Sequence, residues 1–208
     1  MPNNHIVSVT PSEEYFSITW KLSIRCNYDC MYCPTKWHND TDQHHSLDTL
    51  KLAWTEIYRR SQHLGLPYKI SFTGGEVTNN KNFIPFVTWL RTEYGNSIFQ
   101  LLVTTNGSAT LKYYAKLFEV IDNVSFSTHS EHINERKFFD MIIALHNTID
   151  SSRFLHVNIM NESWNQDRIA KYKEILITNG ISYNINEVDY SLQTRSHPVF
   201  KGRLNLEI

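Results

Sequence analysis

Hydrophobic and polar residues alternate along the chain with two periods, which predict strands and helices in regular succession. Apolar and polar side chains alternate over residues 18–24, which is the period of a half-buried strand. Apolar side chains then recur at helical spacing over residues 47–58, after Ser46 or Asp48 as the N-cap and before Pro67. These two segments predict a first βα unit.

The same order recurs through a sixth predicted strand. The later strands are predicted over residues 69–72, 99–104, 123–127, 154–159 and 182–188, and the later helices over residues 83–94, 111–120, 136–148 and 166–178. Alternating strands and helices imply a parallel sheet with right-handed crossovers. We therefore predict one α/β domain, a partial (β/α)6 barrel over about residues 18–188, followed by a C-terminal tail over residues 189–208.

Six units are too few to close a barrel that normally has eight strands, so we expect one lateral side to stay open. The last strand then has an exposed edge that needs cover. The tail combines a polar, turn-rich stretch over residues 194–198 with the apolar Val199, Phe200 and Leu204. We expect this tail to pack across the opening or against a second subunit, as in a homodimer; a disordered tail is the alternative.

Composition excludes several classes of protein. The chain has 208 residues, 41% of them hydrophobic, and a formal net charge of −1. This balance provides no broad basic surface, so nucleic acid is not an expected partner. No segment approaches the roughly 18 to 20 apolar residues of a membrane span, and residues 1–14 lack the order of a signal peptide. We expect a cytoplasmic protein without membrane contact.

The three cysteines, Cys26, Cys30 and Cys33, lie within eight residues of one another after the first predicted strand. An odd set of near neighbours is poorly suited to disulfides. Three thiolates in this spacing can instead bind three corners of an iron–sulfur cubane, whose fourth iron stays open to a histidine, water or an exogenous ligand. A structural Cys3His zinc site is the alternative. The histidines available to such a site are His38, His44 and His45.

Polar residues or glycines follow the other predicted strands. Since functional residues gather at the C-terminal ends of parallel strands, these groups are candidates for a common site. They comprise Gly74, Gly75 and Glu76 after the second strand, Asn106 after the third, Ser127 and His129 after the fourth, Asn158 and Glu162 after the fifth, and residues 184–187 of the sixth.

Two motifs carry a resemblance to a known family. The cysteine spacing after the first strand, with Tyr32 directly before the third cysteine, resembles the hallmark of the radical S-adenosylmethionine (radical SAM) superfamily. The Gly-Gly-Glu triplet that ends the second strand is similar to a second, independent motif of that family. The resemblance extends through the order of the six units and hence over most of the chain.

The resemblance implies the ligand set. Cys26, Cys30 and Cys33 would bind a 4Fe-4S cluster, whose open iron is chelated by the amino and carboxylate groups of S-adenosylmethionine. Tyr32 would lie against the adenine. The segment of Gly74, Gly75 and Glu76 would bind the amino group, because glycines let a backbone approach a ligand closely and a carboxylate suits an ammonium.

The resemblance also suggests roles for later strands, each with a structural alternative. Ser127 and His129 are candidates for the ribose and the cofactor carboxylate, and His129 could equally contact substrate. Asn106 lies in a Thr-Asn-Gly triplet that is frequent in the family and is also ordinary turn chemistry. Asn158 is a candidate for adenine contact, although the fifth strand lacks the family's Gly-x-Ile-x-Gly-like pattern. The weaker substrate candidates are Glu131, Glu162 and Glu187.

The implied activity is reductive cleavage of S-adenosylmethionine to a 5'-deoxyadenosyl radical that abstracts hydrogen from a small metabolite or a peptide. An external one-electron donor of the flavodoxin or ferredoxin type is expected, because the three cysteines suffice for one cluster only. The alternatives are a zinc-stabilised binding module and a radical SAM fold without turnover. Pro34 and Thr35 follow Cys33, which departs from the Cys-Asp-Thr continuation of the 7-carboxy-7-deazaguanine synthases, so the substrate stays open.

Overall fold

Strands and helices alternate throughout residues 14–33, 43–162 and 165–188, the part of the chain that the computed structural model describes. The strands are β1 Phe16–Lys21, β2 Tyr68–Thr73, β3 Ile98–Thr105, β4 Asn123–Thr128, β5 Phe154–Asn161 and β6 Ser182–Glu187. The α-helices are α1 Leu47–Ser61, α2 Phe83–Tyr94, α3 Leu111–Phe118, α4 Glu135–His146 and α5 Gln166–Thr178, and short 3-10 helices lie at Gln62–Leu64, Val77–Asn79 and Gly95–Ser97.

The six strands form one parallel sheet in the order β1-β2-β3-β4-β5-β6, and this sheet is not closed. Right-handed crossovers that always advance in one direction place the connecting helices on a single face of the sheet. The predicted fold, a partial (β/α)6 barrel open on one lateral side, is therefore confirmed.

Alternate strand residues form the core between the sheet and its helices. Ile70, Phe126 and Val157 are fully buried on the strands, and Trp54 and Leu90 are fully buried on the helices that cover them. The intervening strand residues point to the opposite face because side chains alternate along a strand. That concave face of the described sheet carries mainly small polar side chains, among them Ser71, Thr104, Ser125, Asn158 and Asn184.

Local sequence explains where the helices begin. The Ser46 side chain accepts a hydrogen bond from the backbone N–H of Thr49, so Ser46 is the N-cap of α1 and Asp48 lies within the first turn. Asn134 caps α4 in the same way through the N–H of Lys137, so this helix begins at Glu135, one residue earlier than predicted. The helix also ends two residues earlier than predicted, at His146.

The end of β1 differs from the prediction. We expected a strand over residues 18–24 that leads directly into Cys26, whereas β1 ends at Lys21. Beyond Lys21 the chain follows the end of β2: Leu22 N–H donates to the Thr73 carbonyl at 3.0 Å, and Glu76 N–H donates to the Arg25 carbonyl at 2.8 Å. These bonds seat the residues before Cys26 against the Gly-Gly-Glu segment instead of continuing the strand ladder.

Several predictions concern residues outside the described ranges. The tail over residues 189–208, its packing against the open edge and His38 all lie there. No helix within the described ranges is both long enough and apolar enough to cross a membrane.

Candidate active site

The cysteine loop, residues 26–33, forms one wall of a cavity of about 160 Å³ at the C-terminal ends of the central strands. All three cysteines line this cavity as free thiols, and Cys30 is buried whereas Cys26 and Cys33 are half-buried. The complete lining is Cys26, Tyr28, Cys30, Tyr32, Cys33, Thr73, Gly74, Gly75, Thr104, Thr105, Asn106, Ser127 and His129.

The cavity brings together most of the residues that the sequence analysis singled out for the cofactor. Tyr32, both glycines of the triplet, Asn106, Ser127 and His129 line it beside the cysteines, whereas Glu76 and Asn158 do not. No cofactor role was predicted for Tyr28, Thr73, Thr104 or Thr105, although Thr105 lies in a predicted polar strand end. Tyr28 lies between two cysteines of the loop. The threonines lie at the C-terminal ends of β2 and β3, and this position in the sheet is the signal that could have identified them.

The two glycines allow close contact between backbone segments. A Cβ added to Gly74, whose φ is +143°, would lie 2.2 Å from the carbonyl oxygen of Ser23. A Cβ added to Gly75 would lie 2.1 Å from the carbonyl oxygen of Arg25, and Gly75 N–H donates to the Ser23 carbonyl at 2.9 Å. The absence of a side chain at both positions is thus required for the chain that leads into the cysteine loop to lie against β2.

Glu76 is a buried carboxylate, 1% exposed, that accepts four hydrogen bonds from its own chain. Oε1 accepts from the backbone N–H and the hydroxyl of Thr78 and from the hydroxyl of Thr105, and Oε2 accepts the backbone N–H of Asn106 at 2.6 Å. Burial raises the pKa of Glu76, and the donated hydrogen bonds lower it in part. Glu76 therefore joins the end of β2 to the end of β3.

Asn106 connects β3 to the cysteine loop. Its Nδ2 donates to Oδ1 of Asn27 at 2.9 Å and lies 4.0 Å from Sγ of Cys26, while its Oδ1 accepts the backbone N–H of Ser108 at 3.0 Å. The backbone N–H of Asn106 donates to Glu76. Both the backbone and the side chain of Asn106 are therefore held by hydrogen bonds.

His129 lies against the cysteine loop from the β4 side. Its Nδ1 is hydrogen bonded to the hydroxyl of Tyr32 and lies 3.4 Å from Sγ of Cys30, and the rings of His129 and Tyr32 are nearly parallel with centroids 6.0 Å apart. Enclosure by protein, together with repulsion from His132, lowers the pKa of His129 to about 4. The imidazole is consequently neutral near pH 7.

The remaining predicted residues on β5 and β6, and directly after β5, do not line the cavity. Asn158 is half-buried on the concave face of β5, in register with Ser127 on β4. Glu162 is fully buried and accepts a hydrogen bond from the hydroxyl of Ser130, and burial raises its pKa to about 7. Glu187 lies exposed at the end of β6 and accepts from Nδ2 of Asn161 at 2.7 Å.

The thiols have properties that suit an iron–sulfur cluster. Burial raises the pKa of all three thiols, to about 11 for Cys33. The charge of Cys26 raises the pKa of Cys30 and Cys33 further, and the charge of Glu76 raises that of Cys26. Three neighbouring thiolates are therefore stable there only beside a metal cation, such as the iron of a cluster, which deprotonates its thiol ligands. The backbone N–H of Tyr28 already donates to Sγ of Cys26 at 3.4 Å.

The zinc alternative finds no support in the described residues. Among them, no three or more Cys, His, Asp or Glu side chains form a group that could hold one metal ion, so neither His44 nor His45 completes a site with the cysteines. Instead, His44 Nδ1 lies 3.4 Å from the hydroxyl of Ser23. The thiols line one wall of a cavity, which leaves room for the larger cubane.

Three cysteine thiols line one wall of a cavity at the C-terminal edge of an unclosed six-stranded parallel sheet, which defines a partial-barrel protein with a candidate site for an iron–sulfur cluster. Residues 20–158, well over half of the chain, match the family model of the radical SAM superfamily. The chain belongs to this superfamily.

Two similar proteins agree with that assignment. A 7-carboxy-7-deazaguanine synthase from Clostridium acetobutylicum is 30% identical over 89 residues, which are 43% of this chain and 37% of that protein. The crystal structure of BtrN in complex with AdoMet and 2-DOIA superposes with a TM-score of 0.52 at 19% identity, covering 86% of this chain and 72% of that one. The second similarity shows the fold alone.

Proposed function

We propose that the protein is a radical SAM enzyme that binds a 4Fe-4S cluster through Cys26, Cys30 and Cys33 and binds S-adenosylmethionine in the adjoining cavity. The observation that carries the proposal is that all three free thiols line one cavity together with most of the candidate cofactor residues. The bound cluster and cofactor would supply reductive cleavage of S-adenosylmethionine to a 5'-deoxyadenosyl radical, which abstracts hydrogen from substrate.

The residues of the chain bind and orient the cofactor in this proposal. Gly74 and Gly75 line the cavity and offer backbone groups to the amino end of the cofactor, and Tyr32 offers a ring to the adenine. Ser127 offers a hydroxyl to the ribose or carboxylate. Glu76 would contribute by holding the strand ends, since its carboxylate already accepts four hydrogen bonds from the protein.

The concave face of β4, β5 and β6 supports a proposal about the substrate. The strand residues of this face include no Lys, Arg, Asp or Glu, and burial lowers the pKa of His156, which favours its neutral form. Residues in register on the three strands form two polar rows across this face. One row is Ser125, His156 and Ser182, and the other is Ser127, Asn158 and Asn184. Amide, hydroxyl and imidazole groups suit an uncharged small molecule with several hydrogen-bonding groups better than a carboxylate or phosphate.

The decisive experiment for the enzyme class is anaerobic reconstitution with iron and sulfide. The proposal requires a brown protein with about four irons per chain that forms 5'-deoxyadenosine from S-adenosylmethionine when dithionite, or reduced flavodoxin or ferredoxin, is supplied. Replacement of Cys26, Cys30 or Cys33 by Ala should remove this activity, because a cubane held by two thiolates is labile.

Other outcomes identify the competing functions. A colourless protein with one tightly bound zinc contradicts the cluster and supports a zinc module. A protein that binds the cluster but forms no 5'-deoxyadenosine from S-adenosylmethionine has the radical SAM fold without its catalytic activity.

The substrate proposal needs its own measurement. A deproteinised metabolite extract is passed through an anion-exchange and a cation-exchange resin, and the neutral fraction that neither resin retains should raise 5'-deoxyadenosine formation by the reconstituted enzyme above its rate without extract. Asn184→Asp should reduce that stimulation, because it adds a negative charge to the concave face without changing shape. Stimulation by the anionic fraction alone contradicts a neutral substrate.

A further inference from the structure

We propose that Glu131 is a positioning residue for the cluster: its carboxylate holds the backbone of the cysteine loop between the second and third ligands and places a negative charge beside them. This inference rests on the proposed function, because it assumes that the cysteine loop binds the cluster. It assigns to Glu131 a role toward the protein's own loop in place of the substrate contact expected from sequence.

The geometry joins two segments that are 100 residues apart. The backbone N–H of Met31 donates to both carboxylate oxygens of Glu131, at 3.2 Å to Oε1 and 3.3 Å to Oε2. The Glu131 side chain is 8% exposed and Met31 is 4% exposed, so solvent cannot readily replace this bond. Met31 lies between Cys30 and Cys33, and its amide therefore fixes the part of the loop that carries both thiols.

His132, the residue after Glu131, contacts the part of the cysteine loop before Cys30. The ring of His132 stacks on Tyr28 with centroids 4.7 Å apart, and its Nε2 lies 3.5 Å from a carboxylate oxygen of Asp29. Residues 129–132 form a tight turn, closed by the His132 N–H that donates to the His129 carbonyl at 2.9 Å. The turn after β4 thus contacts the loop both before and after Cys30.

The charge of Glu131 lies close to the second cluster ligand. Its carboxylate is hydrogen bonded to the backbone N–H of Met31, the residue directly after Cys30, and its side chain is 8% exposed. A mostly buried charge is screened less than one in water. Electrostatic repulsion from this charge opposes addition of an electron to a cluster at this position, so Glu131 would lower its reduction potential.

Two substitutions separate positioning from charge. Glu131→Gln keeps a carbonyl oxygen that can accept the Met31 N–H and removes the charge, whereas Glu131→Ala removes both. Glu174→Gln, on the exposed face of α5, makes the same chemical change away from the cysteine loop and serves as the matched control.

The experiment compares the four reconstituted proteins by iron content, by the rate of iron release to a chelator, and by the midpoint potential from a redox titration followed by electron paramagnetic resonance. We expect Glu131→Gln to hold iron like wild type with a midpoint potential shifted upward. We expect Glu131→Ala to release iron several-fold faster and Glu174→Gln to match wild type in all three measurements.

Two outcomes overturn the inference in distinguishable ways. If wild type loads iron normally while Glu131→Gln has an unchanged potential and Glu131→Ala an unchanged release rate, Glu131 has no role toward the cluster and the proposed function stands. If wild type loads no cluster, the proposed function fails and this inference fails with it.

Discussion

The α-carbon of Gly75 packs directly against the backbone carbonyl of Arg25, so that a Cβ at residue 75 would lie 2.1 Å from that oxygen. Gly75→Ala should therefore displace the chain leading into the cysteine loop. We expect a loss of about 1–3 kcal/mol of stability or more, because backbone cannot move aside as a flexible side chain can. Thermal unfolding and iron content after reconstitution measure the two consequences.

Gly95→Ala is the control for this prediction. Gly95 has helical backbone geometry at the C-terminal end of α2, and no atom lies within 4 Å of a Cβ added there. It should unfold at the wild-type temperature or slightly above, since alanine restricts the unfolded chain. Equal effects of the two substitutions would contradict the role assigned to Gly75.

Glu76→Gln should destabilise the protein although it preserves shape. Each carboxylate oxygen accepts one backbone N–H, from Thr78 at Oε1 and from Asn106 at Oε2, so either orientation of the new amide places an NH2 group against a buried donor. An unsatisfied buried donor costs about 1–3 kcal/mol, equivalent to several degrees in melting temperature. Calorimetry compares the melting temperatures of Glu76→Gln and of the control Glu174→Gln. Equal melting temperatures would contradict the structural role of Glu76.

Glu162 should make the stability of the protein decrease as the pH rises. Its pKa is raised from 4.5 to about 7 in the folded protein, where its Oε1 has no hydrogen-bond partner among the described residues. Between these two pKa values the folded state retains a proton that the unfolded state has lost, so folding becomes less favourable from about pH 4.5 to pH 7 and then levels off.

Glu162→Gln isolates this contribution, because it keeps the shape and removes the titration. Urea unfolding at pH 5, 6, 7 and 8 should show that the free energy of unfolding of the variant rises relative to wild type as the pH increases. A difference that is constant with pH would show that the pKa of Glu162 is not raised.

Tyr32 allows the ring and the hydroxyl to be tested separately. Tyr32→Phe removes the hydrogen bond to Nδ1 of His129 and keeps the ring proposed to lie against adenine, whereas Tyr32→Ala removes both. Loss of an aromatic contact is worth about 0.5–1.5 kcal/mol, so Tyr32→Ala should weaken S-adenosylmethionine binding by roughly threefold to tenfold and Tyr32→Phe by less. Equilibrium dialysis with the reconstituted variants measures the affinities, and equal affinities of wild type and Tyr32→Ala would exclude the adenine contact.

Much of the fold follows from local sequence because strand and helix periods are local properties. The helices over residues 83–94 and 166–178 have the bounds that their periodicity predicts, and the six strands occur in the predicted order. The end of β1 was predicted wrongly because alternation continues past Lys21, while the chain there bonds to residues about fifty positions away. Periodicity contains no information about such a distant partner.

Part of the candidate site could likewise be predicted from the sequence. The types and spacing of Cys26, Cys30 and Cys33 predicted a cluster loop, because ligand chemistry is a property of the side chains themselves. Their order after strand ends also indicated that the polar residues would meet at one edge of the sheet.

The tertiary structure alone decided what each polar group contacts. From the sequence, Glu76 was expected to bind the cofactor and Glu131 the substrate, yet Glu76 bonds to Asn106 and Glu131 bonds to Met31, both far along the chain. Only folding brings these donors to the carboxylates and removes water from around them, and burial without water is what makes such bonds strong and their loss costly. The sequence by itself thus determined the class of fold and the cysteine loop, and tertiary packing determined which side chains hold that loop in place.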